Sequence, residues 1–429
     1  MQRPRARAGE CPRARLAGFA PRLPPGRRGA LVKERAPPVL PLATLAGGAP
    51  LKAISLARGG QAVSFGAMPL ISVVIPVHGV EDYLDRCLDT VLNNSGLNGS
   101  GLNSSGLNNS GLNNSGAVPI EVIAVDDASP DRCGAILAAR RDPRLRVLTT
   151  PAPVGPGPAR DLGAKQATGE YVWFVDGDDE LAEGALAVIA GALREQPDVL
   201  VVDFENLHPD GTTSPSDGAK YLRGPRVVTL ADDPALIHLT MTAWSKVFRR
   251  DFLYGLSITF GSSGPAPHED VTVTTMALLT AKRIGVLNRV CYRYRRARRG
   301  SFLAVASEGN FNIFRSYQQI FNILAERGVV SAPIPAPVVA AIFERAIWHY
   351  TTLLPLVPKR RRREFFHQMS IDFRRWRPRE PAGFSVPPGL RGVKFRLVAR
   401  DAYWAYALLD PLNRLRIAVR SSDVRRTPP

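Results

Sequence analysis

The sequence predicts an α/β protein in which helices cover both faces of a mostly parallel sheet, followed by a basic helical C-terminal region. Between residues 70 and 206, short β-branched apolar runs alternate with segments whose apolar residues have helical spacing. This alternation is typical of a doubly covered parallel sheet. Beyond residue 303 the chain has long amphipathic segments without a strand pattern. No apolar run reaches about 18 residues, so the sequence predicts no membrane-spanning helix.

The first predicted strand is LISVVIPVH at 70–78, a β-branched run that ends just after Pro76. A helix follows at 81–92, where apolar residues recur every three or four positions. Further apolar runs predict strands at 121–129, 145–150, 170–181 and 198–206. Helical spacing predicts the remaining helices at 131–140, 157–168, 182–195, 311–328, 337–354 and 360–376.

Charge divides the 429 residues into three regions. Residues 1–67 hold 12 Lys/Arg and two Asp/Glu, residues 68–280 hold 15 and 27, and residues 281–429 hold 29 and nine. Residues 1–67 are interrupted by prolines and have no regular period, so we predict a disordered basic leader. The alternative is that Met68 is the true start. We place an α/β domain at 68–303 and a basic helical module at 304–429.

Two sequence features limit the range of functions. A five-residue polar repeat at 94–116 buries almost nothing, and it is predicted to be a flexible insertion without a function of its own. The four cysteines are scattered and form no C-x-x-C pair, which argues against a zinc ribbon or a disulfide scaffold. The first strand is followed by PVHGVE instead of G-x-G-x-x-G, which argues against a nicotinamide-dependent oxidoreductase.

Carboxylates follow two of the predicted strands, at the edge where such sheets bind ligands. Asp176, Asp178 and Asp179 repel one another unless a cation balances them, and a D-x-D pair presents the oxygen ligands that Mg²⁺ or Mn²⁺ prefers. A solvated turn that caps the next helix is the alternative. Asp127, after the other strand, is placed to accept a hydrogen bond from a uracil-like base, although an Asx turn explains VDDASPD equally well.

In order and spacing, three segments resemble family 2 glycosyltransferases of the GT-A fold. They are ISVVIPVHGVEDYLDRCLDTVL, IEVIAVDDASPD and GPARDLGAKQATGEYVWFVDGDD. The resemblance covers about residues 70–303 and implies a metal-dependent, inverting transferase that uses a nucleotide-sugar, often a UDP-sugar. It implies a nucleotide site that includes Pro76, Val77, Asp127, Arg160 and Asp176. It also implies a D-x-D metal site at Asp176 and Asp178, for which Asp179 is an alternative ligand.

The acceptor side of the resemblance is carried by TAWSKVFRRDFL (242–253) and PHEDV (267–271). It implies Asp270 as the base that deprotonates the acceptor hydroxyl, with Glu269 as second candidate. A helix N-cap cluster is the alternative for these acids, and His268 is a neighbour of them. Trp244 and Lys246 are candidates for shaping the acceptor pocket, although a Trp in an apolar segment is more often part of the core.

The arginine-rich stretch YRYRRARRGSF (292–302) is a candidate for the leaving diphosphate, through Arg295 or Arg298. A solvated basic strand is the alternative. The sequence departs from the family pattern twice. The usual Asn before the Gly of the mid-domain loop is replaced, since the chain carries Pro153, Val154 and Gly155 there. Asp161 stands where the family has Asn after the Ala-Arg pair, so both departures concern the local nucleotide contacts and not the fold.

The basic tail is predicted to meet an anionic membrane surface or an acidic polymer, and a solvated helical cap is the alternative. The ordered chain is also similar to the amino-terminal half of actinobacterial proteins that join such a transferase to a CDP-glycerol glycerophosphotransferase. These resemblances imply a cytoplasmic enzyme, peripheral at the inner face of the plasma membrane, with a glycan or polyol-phosphate acceptor. The remaining alternatives are a nucleotidyltransferase and a non-catalytic anionic-polymer-binding protein. We expect no nucleic-acid partner.

Overall fold

A computed structural model gives the fold of this chain. It describes residues 69–94, 117–256, 258–263, 267–296, 298, 306–326, 334–378 and 384–409. The predicted leader at 1–67 and the repeats after Asn94 lie outside the described residues. The predictions of disorder and flexibility made for these two segments therefore stay predictions.

One mixed sheet forms the centre of the described structure. Its strands are β1 (Ile71–Val77), β2 (Ile120–Asp126), β3 (Leu145–Thr149), β4 (Tyr171–Phe174), β5 (Glu180–Leu181), β6 (Val199–Leu207), β7 (Thr213–Pro215), β8 (Arg226–Val228), β9 (Lys246–Arg249) and β10 (Ile284–Arg295). The order along the sheet is β3-β2-β1-β4-β9-β6-β10-β5. The first four strands of that order are parallel, β9 is antiparallel to both of its neighbours, and β6 and β10 pair in parallel.

Ten helices surround this sheet in the described part of the chain. They are α1 (Glu81–Leu92), α2 (Cys133–Ala139), α3 (Pro156–Lys165), α4 (Ala185–Leu193), α5 (Arg250–Gly255), α6 (Asp270–Thr280), α7 (Asn312–Ala325), α8 (Ala336–Leu353), α9 (Arg362–Trp376) and α10 (Gly389–Ala399). Residues 403–409 are also helical. None of the described helices is both long enough and apolar enough to cross a bilayer.

The α/β architecture and the helical C-terminal region are confirmed, and most predicted boundaries hold within a few residues. The prediction of one strand over 170–181 is wrong, because β4 ends at Phe174 and β5 is a separate pair of residues. The acidic residues between β4 and β5 form a turn in which Asp176 and Asp178 have ion-pair partners, and this turn does not extend the strand pairing. The sequence pattern also gave no indication of α10.

Two apolar layers cover the two faces of the sheet, and alternate residues of β1 enter each layer. Ile71, Val73 and Ile75 pack with α1 and α4, whereas Val74 belongs to the cluster that includes α3, α6 and the C-terminal helices. This alternation is the two-residue period of a strand that is buried on both faces. The C-terminal helices therefore share a core with the sheet, on the face that also carries α6.

Candidate active site

The carboxyl ends of β1, β2 and β4 bring the predicted donor-side residues to one edge of the sheet. Val77 is opposite Asp126 in the register of β1 and β2, and the Asp127 N–H donates to the Val77 carbonyl at 2.8 Å. On the other side of β1, Phe174 pairs with Val74, so Asp176 follows at the same edge. Parallel strands end together, which places Asp127 and Asp176 on either side of β1.

Asp127 holds the loop that leads into α3. Its carboxylate accepts hydrogen bonds from the Thr150 hydroxyl and from the N–H groups of Val154 and Gly155, all at 2.8 Å. The side chain is buried, and Gly155 has a φ of 91°, which favours glycine. Two residues of the family departure, Val154 and Gly155, are thus backbone donors to Asp127. The structure brings Asp127 to the predicted place and directs its oxygens at this loop.

Its neighbours in VDDASPD serve local turns and a helix start. The Asp126 carboxylate accepts from the Ser129 N–H at 3.0 Å. Asp131 accepts from the N–H of Glu81 at 3.0 Å and of Cys133 at 3.1 Å. These contacts match the turn-and-cap alternative for Asp126 and Asp131.

The second family departure, Asp161, also has a structural role. Its carboxylate accepts from the Phe260 N–H at 3.0 Å and from the Gly261 N–H at 2.7 Å. Burial raises the pKa of Asp161, and these two hydrogen bonds oppose that effect. Asp161 therefore fixes α3 against the segment just before α6.

Arg160 on α3 joins the two acidic segments of the site. Its guanidinium donates to Asp176 Oδ1 at 2.7 Å and forms an ion pair with Glu269. Arg160 is only 4% exposed. Burial alone would lower the pKa of Arg160, but the carboxylates of Asp176 and Glu269 raise it above its ordinary value. The predicted nucleotide contact of Arg160 thus lies at a side chain that is already engaged by two carboxylates.

Glu269 and Asp270 are adjacent in sequence but have different surroundings. Glu269 is buried and paired with Arg160. A Cβ added to Gly157 would lie 2.9 Å from Glu269 Cγ, so this glycine allows α3 to approach Glu269 closely. Asp270 begins α6, and within the described residues its carboxylate has no hydrogen-bond or ion-pair partner. Burial, reinforced by the charge of Glu269, raises the pKa of Asp270 to about 7.

The acidic turn after β4 keeps Asp179 inside and Asp178 at its rim. Asp179 is 1% exposed and accepts hydrogen bonds from the Tyr292 hydroxyl and the Arg295 N–H, both at 2.7 Å. Burial raises the pKa of Asp179 well above its usual range, and Asp178 and Asp176 add to the effect. The Asp178 carboxylate forms an ion pair with Arg298. Burial also raises the pKa of Asp178, with the Arg298 charge opposing it.

Arg295 fastens this turn to the neighbouring elements. Its guanidinium donates to the Asp178 carbonyl at 2.8 Å and to Glu180 Oε1 at 2.6 Å, and it lies 4.9 Å from the centre of the Tyr83 ring. Gly177 is needed here because an added Cβ would lie 3.2 Å from the carbonyl oxygen of Pro76. Arg295 thus positions the acidic turn, whereas Arg298 meets an acidic side chain directly.

The donor set fits a divalent ion only if the substrate completes the coordination. No three acidic, His or Cys side chains in the described ranges converge as a ready metal site. The Asp176 and Asp178 side chains are 26% and 18% exposed, so both are accessible to solvent, whereas Asp179 is enclosed and doubly hydrogen-bonded. Mg²⁺ is commonly held by one or two carboxylates together with substrate phosphates. The accessible carboxylates of Asp176 and Asp178 fit that arrangement better than the enclosed carboxylate of Asp179, and the ligand role of each stays a prediction.

The predicted acceptor-side residues differ in accessibility. Trp244 is buried, with its ring stacked on Tyr292 at 4.6 Å between centres. Lys246 is fully buried, and its Nζ donates to the Thr240 carbonyl at 2.7 Å. Trp244 and Lys246 are therefore enclosed, and their part in shaping the acceptor pocket stays a prediction. His268 is half-buried, and its Nε2 lies 3.0 Å from Asn310 Oδ1.

Sequence reasoning missed Tyr292 as a residue of the site. Its hydroxyl donates to Asp179 and accepts from the Asp176 N–H at 3.1 Å, so these two hydrogen bonds hold the acidic turn in place. The alternation of Tyr and Arg in YRYR was a usable signal, because a strand places alternate residues on opposite faces. Glu180, which pairs with both Arg86 and Arg295, gave no such signal.

A family comparison identifies the central part of the chain. The model of the family described as "Glycosyl transferase family 2" matches residues 72–215, which include β2, β4 and the acidic turn. Residues 72–215 form a family 2 glycosyltransferase domain. The further resemblance to bifunctional actinobacterial proteins stays a prediction.

Two curated relatives illustrate the similarity of this chain to known proteins. The uncharacterized glycosyltransferase EpsJ of Bacillus subtilis is 26% identical over 234 residues, which are 53% of this chain and 61% of EpsJ. A poly(ribitol-phosphate) beta-glucosyltransferase of Bacillus spizizenii is 28% identical over 258 residues, which are 59% of this chain and 36% of that protein. The matched region thus spans less than two thirds of either relative.

The fold is shared with a solved glycosyltransferase structure. The crystal structure of residues 1–349 of Staphylococcus aureus TarS in complex with UDP-GlcNAc aligns with a TM-score of 0.60 at 21% identity. The alignment covers 80% of this chain and 91% of that one, so it extends well beyond residues 72–215. This likeness shows the GT-A fold and the attached helical region.

Proposed function

We propose that this protein is an inverting, metal-dependent glycosyltransferase. In this proposal it moves a sugar from a nucleotide-sugar, a UDP-sugar by preference, to a hydroxyl of a cell-envelope glycan or teichoic-acid-like polymer. The observation that carries the proposal is the contrast within one cleft between paired donor-side carboxylates and the unpaired carboxylate of Asp270. A transferase needs both, a charged cradle for the diphosphate and a free base for the acceptor.

The identities of donor and acceptor are supported by the relatives. Two of them are named poly(ribitol-phosphate) glycosyltransferases, and one solved structure of similar fold holds UDP-GlcNAc. The family match supports sugar transfer over the nucleotidyltransferase alternative. The two reactions differ in product, because sugar transfer releases a nucleoside diphosphate and nucleotidyl transfer releases diphosphate.

In this proposal Asp176 and Asp178 hold Mg²⁺ or Mn²⁺ together with the donor diphosphate. When bound, the ion supplies Lewis-acid stabilisation of the charge that develops on the leaving diphosphate. Asp178 would exchange its contact with Arg298 for this ligand role. Arg298 would then be available to the departing phosphate oxygens, which a guanidinium fork matches well.

Asp270 acts as the base of the reaction in this proposal. The acceptor oxygen forms its bond to the anomeric carbon while the bond from that carbon to the diphosphate oxygen breaks. The hydroxyl proton passes to an Asp270 carboxylate oxygen, and the nucleoside diphosphate leaves with the electron pair. A base with a pKa near the working pH is efficient in such a transfer. Glu269 is less suited to this role, because Arg160 already occupies its carboxylate.

The test of this function is a panel of nucleotide-sugars incubated with the protein, a polyol-phosphate acceptor and Mn²⁺ or Mg²⁺. We expect release of a nucleoside diphosphate from at least one donor, and loss of release on chelation of the metal. Release of inorganic diphosphate, or no turnover of any donor with any acceptor, would contradict the proposal. Product configuration read by NMR tests inversion separately.

We further propose that the C-terminal helices touch an anionic membrane at the inner face of the plasma membrane. Trp404 and Leu408, one turn apart in the helical segment 403–409, are 69% and 73% exposed. The described residues 359–378 and 384–409 hold 12 Lys/Arg against three Asp/Glu. Exposed apolar side chains on a cationic surface are typical of interfacial binding.

Vesicle co-sedimentation tests this membrane contact. Wild-type protein is expected to sediment with phosphatidylglycerol vesicles and to remain in solution with neutral phosphatidylcholine vesicles. The double variant Trp404→Ser, Leu408→Ser should lose most of this binding, whereas Val290→Ser, at a site 41% exposed on β10, should not. Equal sedimentation of all three proteins would contradict the contact.

A further inference from the structure

Arg345 on α8 is a cation without an acidic partner in the structure's described residues. One terminal nitrogen of its guanidinium donates to the His238 carbonyl at 3.2 Å, and Arg345 Nε is buried without any hydrogen-bond partner. No ion pair to a described Asp or Glu involves Arg345. Charged groups removed from water are costly unless an opposite charge or full hydrogen bonding compensates them.

Two imidazoles near Arg345, those of His349 and His238, are neutral and therefore do not compensate its charge. His349 lies one turn further along α8, and its Nδ1 is 3.3 Å from the Tyr317 hydroxyl. Burial, with the charge of Arg345 adding to it, holds the pKa of His349 well below its usual range. Burial and nearby cations, including Arg391 and Arg345, likewise lower the pKa of His238 to about 4. At neutral pH, these imidazoles carry no charge.

Two connections place this cluster on the acceptor side of Asp270. His268, two residues before Asp270, packs its ring edge-on against His349 at 5.6 Å between centres. Burial lowers the pKa of Lys246 to about 7. The charge of Asp270 opposes this decrease, and the charge of Arg345 adds to it. Arg345 and Asp270 thus act in opposite directions on the pKa of the same buried amine.

Four of these side chains are partly exposed. Asp270, His268, His349 and Arg345 are each half-buried, and the rings of His268 and His349 are in contact. Arg345 Nε itself is buried and has no hydrogen-bond partner, so one N–H of the guanidinium remains unused. A guanidinium with an unused N–H is well matched to a phosphate oxygen.

We propose that Arg345 forms an anion subsite for a phosphodiester of the acceptor, next to the hydroxyl that Asp270 deprotonates. The sugar transfer itself rests on the proposed function, but anion binding at Arg345 does not. The subsite would select polyanionic acceptors over neutral glycans of similar size. It would also give the helical C-terminal region a part in the reaction, because α8 supplies the arginine.

The test measures binding of a ribitol-phosphate oligomer by calorimetry, without any nucleotide-sugar. The variants are Arg345→Gln, Arg345→Lys and the control Arg289→Gln, which removes an exposed arginine of β10. We expect Arg345→Gln to weaken oligomer binding about ten- to hundredfold, because charge-assisted hydrogen bonds are lost. Arg345→Lys should keep part of the affinity, and Arg289→Gln should bind like wild type.

A second measurement does not depend on the folding of a variant. In ¹⁵N-labelled wild-type protein, the Arg345 Nε–H signal should shift on titration with the oligomer. An unmoved signal at saturation, or equal losses in Arg345→Gln and Arg289→Gln, would overturn the subsite. If the oligomer binds as expected and no donor is ever turned over, the subsite stands and the proposed function fails. If donors are turned over with equal preference for charged and neutral acceptors, the subsite fails alone.

Discussion

The donor-side aspartates and the acceptor-side Asp270 are the same residue type in opposite electrostatic situations. Asp176 faces Arg160, Asp178 faces Arg298, and Asp179 is held by a hydroxyl and an N–H. In the described part of the chain the Asp270 carboxylate has no such partner, and its pKa rises to about 7. Burial raises the pKa of Asp178 and Asp179 as well, so the comparison teaches that a carboxylate without a partner, and not a raised pKa alone, distinguishes the candidate base.

The same contrast operates between two adjacent residues. Glu269 and Asp270 enter the cleft from one helix start, but only Glu269 faces Arg160. Burial raises the pKa of Asp270, and the charge of the neighbouring Glu269 adds to this effect. In the proposed mechanism, Arg160 thus favours Asp270 as the base by pairing with its neighbour.

The largest expected effect is that of Asp270→Asn. This change keeps the shape of the side chain but removes the proton acceptor, and positioned bases typically contribute about 10²–10⁴-fold. We therefore expect transfer to fall by about 10³-fold, measured as nucleoside diphosphate release at saturating donor. Donor affinity, measured by calorimetry, should stay close to that of wild type, and near-normal transfer would refute the assignment.

The next effect concerns the pairing on the donor side. Arg160→Met leaves the carboxylates of Asp176 and Glu269 without their cation, and breaking a buried pair costs about 3–5 kcal/mol. We expect a loss of about 3 kcal/mol in the free energy of unfolding, measured by urea denaturation. Adding Glu269→Gln should recover part of this loss, because one unpaired buried charge disappears. An unchanged urea midpoint in Arg160→Met would show that the pair contributes nothing.

Two further variants separate the aspartates of the turn. Asp179→Ala removes two hydrogen bonds from a buried site, so it should cost about 1–3 kcal/mol of stability. Asp178→Ala removes a carboxylate at the rim, so it should weaken metal-stimulated donor binding about tenfold or more while unfolding changes little. Calorimetry with and without Mn²⁺ measures metal-stimulated donor binding, and urea denaturation measures the stability. The reverse pattern would make Asp179 the metal ligand.

The smallest effect is a shift in pH dependence. Asp270 must be deprotonated to act as base, so kcat/KM should rise with pH through about 7 in wild type. Glu269 raises the pKa of Asp270, and Glu269→Gln should therefore move this rise to lower pH. A rise that stays in place, or moves to higher pH, would mean that another group controls it.

Much of this comparison could be predicted from the sequence, because the apolar runs fix where strands end. The runs before Asp127 and Asp176 placed both residues at one sheet edge, and the structure has them there. The order of motifs supplied Asp270 and Glu269 as the two candidate bases. The sequence could not rank the two by structure, because the ranking depends on where the Arg160 side chain points.

The remaining features depend on contacts between distant segments. Tyr292 braces Asp179 from a strand 113 positions further along the chain. Lys246 was a candidate for shaping the acceptor pocket, and only the structure shows that its Nζ is enclosed by the carbonyls of Thr240 and Thr242. Arg345 lay in a predicted helix without any motif, and only the packing of α8 against His268 and His238 brings it beside the acceptor side. No local sequence pattern indicates contacts between residues so far apart in the chain.

The most direct test of the central claim is a titration of the Asp270 carboxyl by ¹³C NMR in protein labelled at aspartate. The signal is assigned by its absence in Asp270→Asn. The account predicts that the Asp270 signal titrates near pH 7, as expected for a buried carboxylate without a partner beside Glu269. An Asp270 signal that titrates below about pH 5, within the ordinary range for the residue, would contradict it.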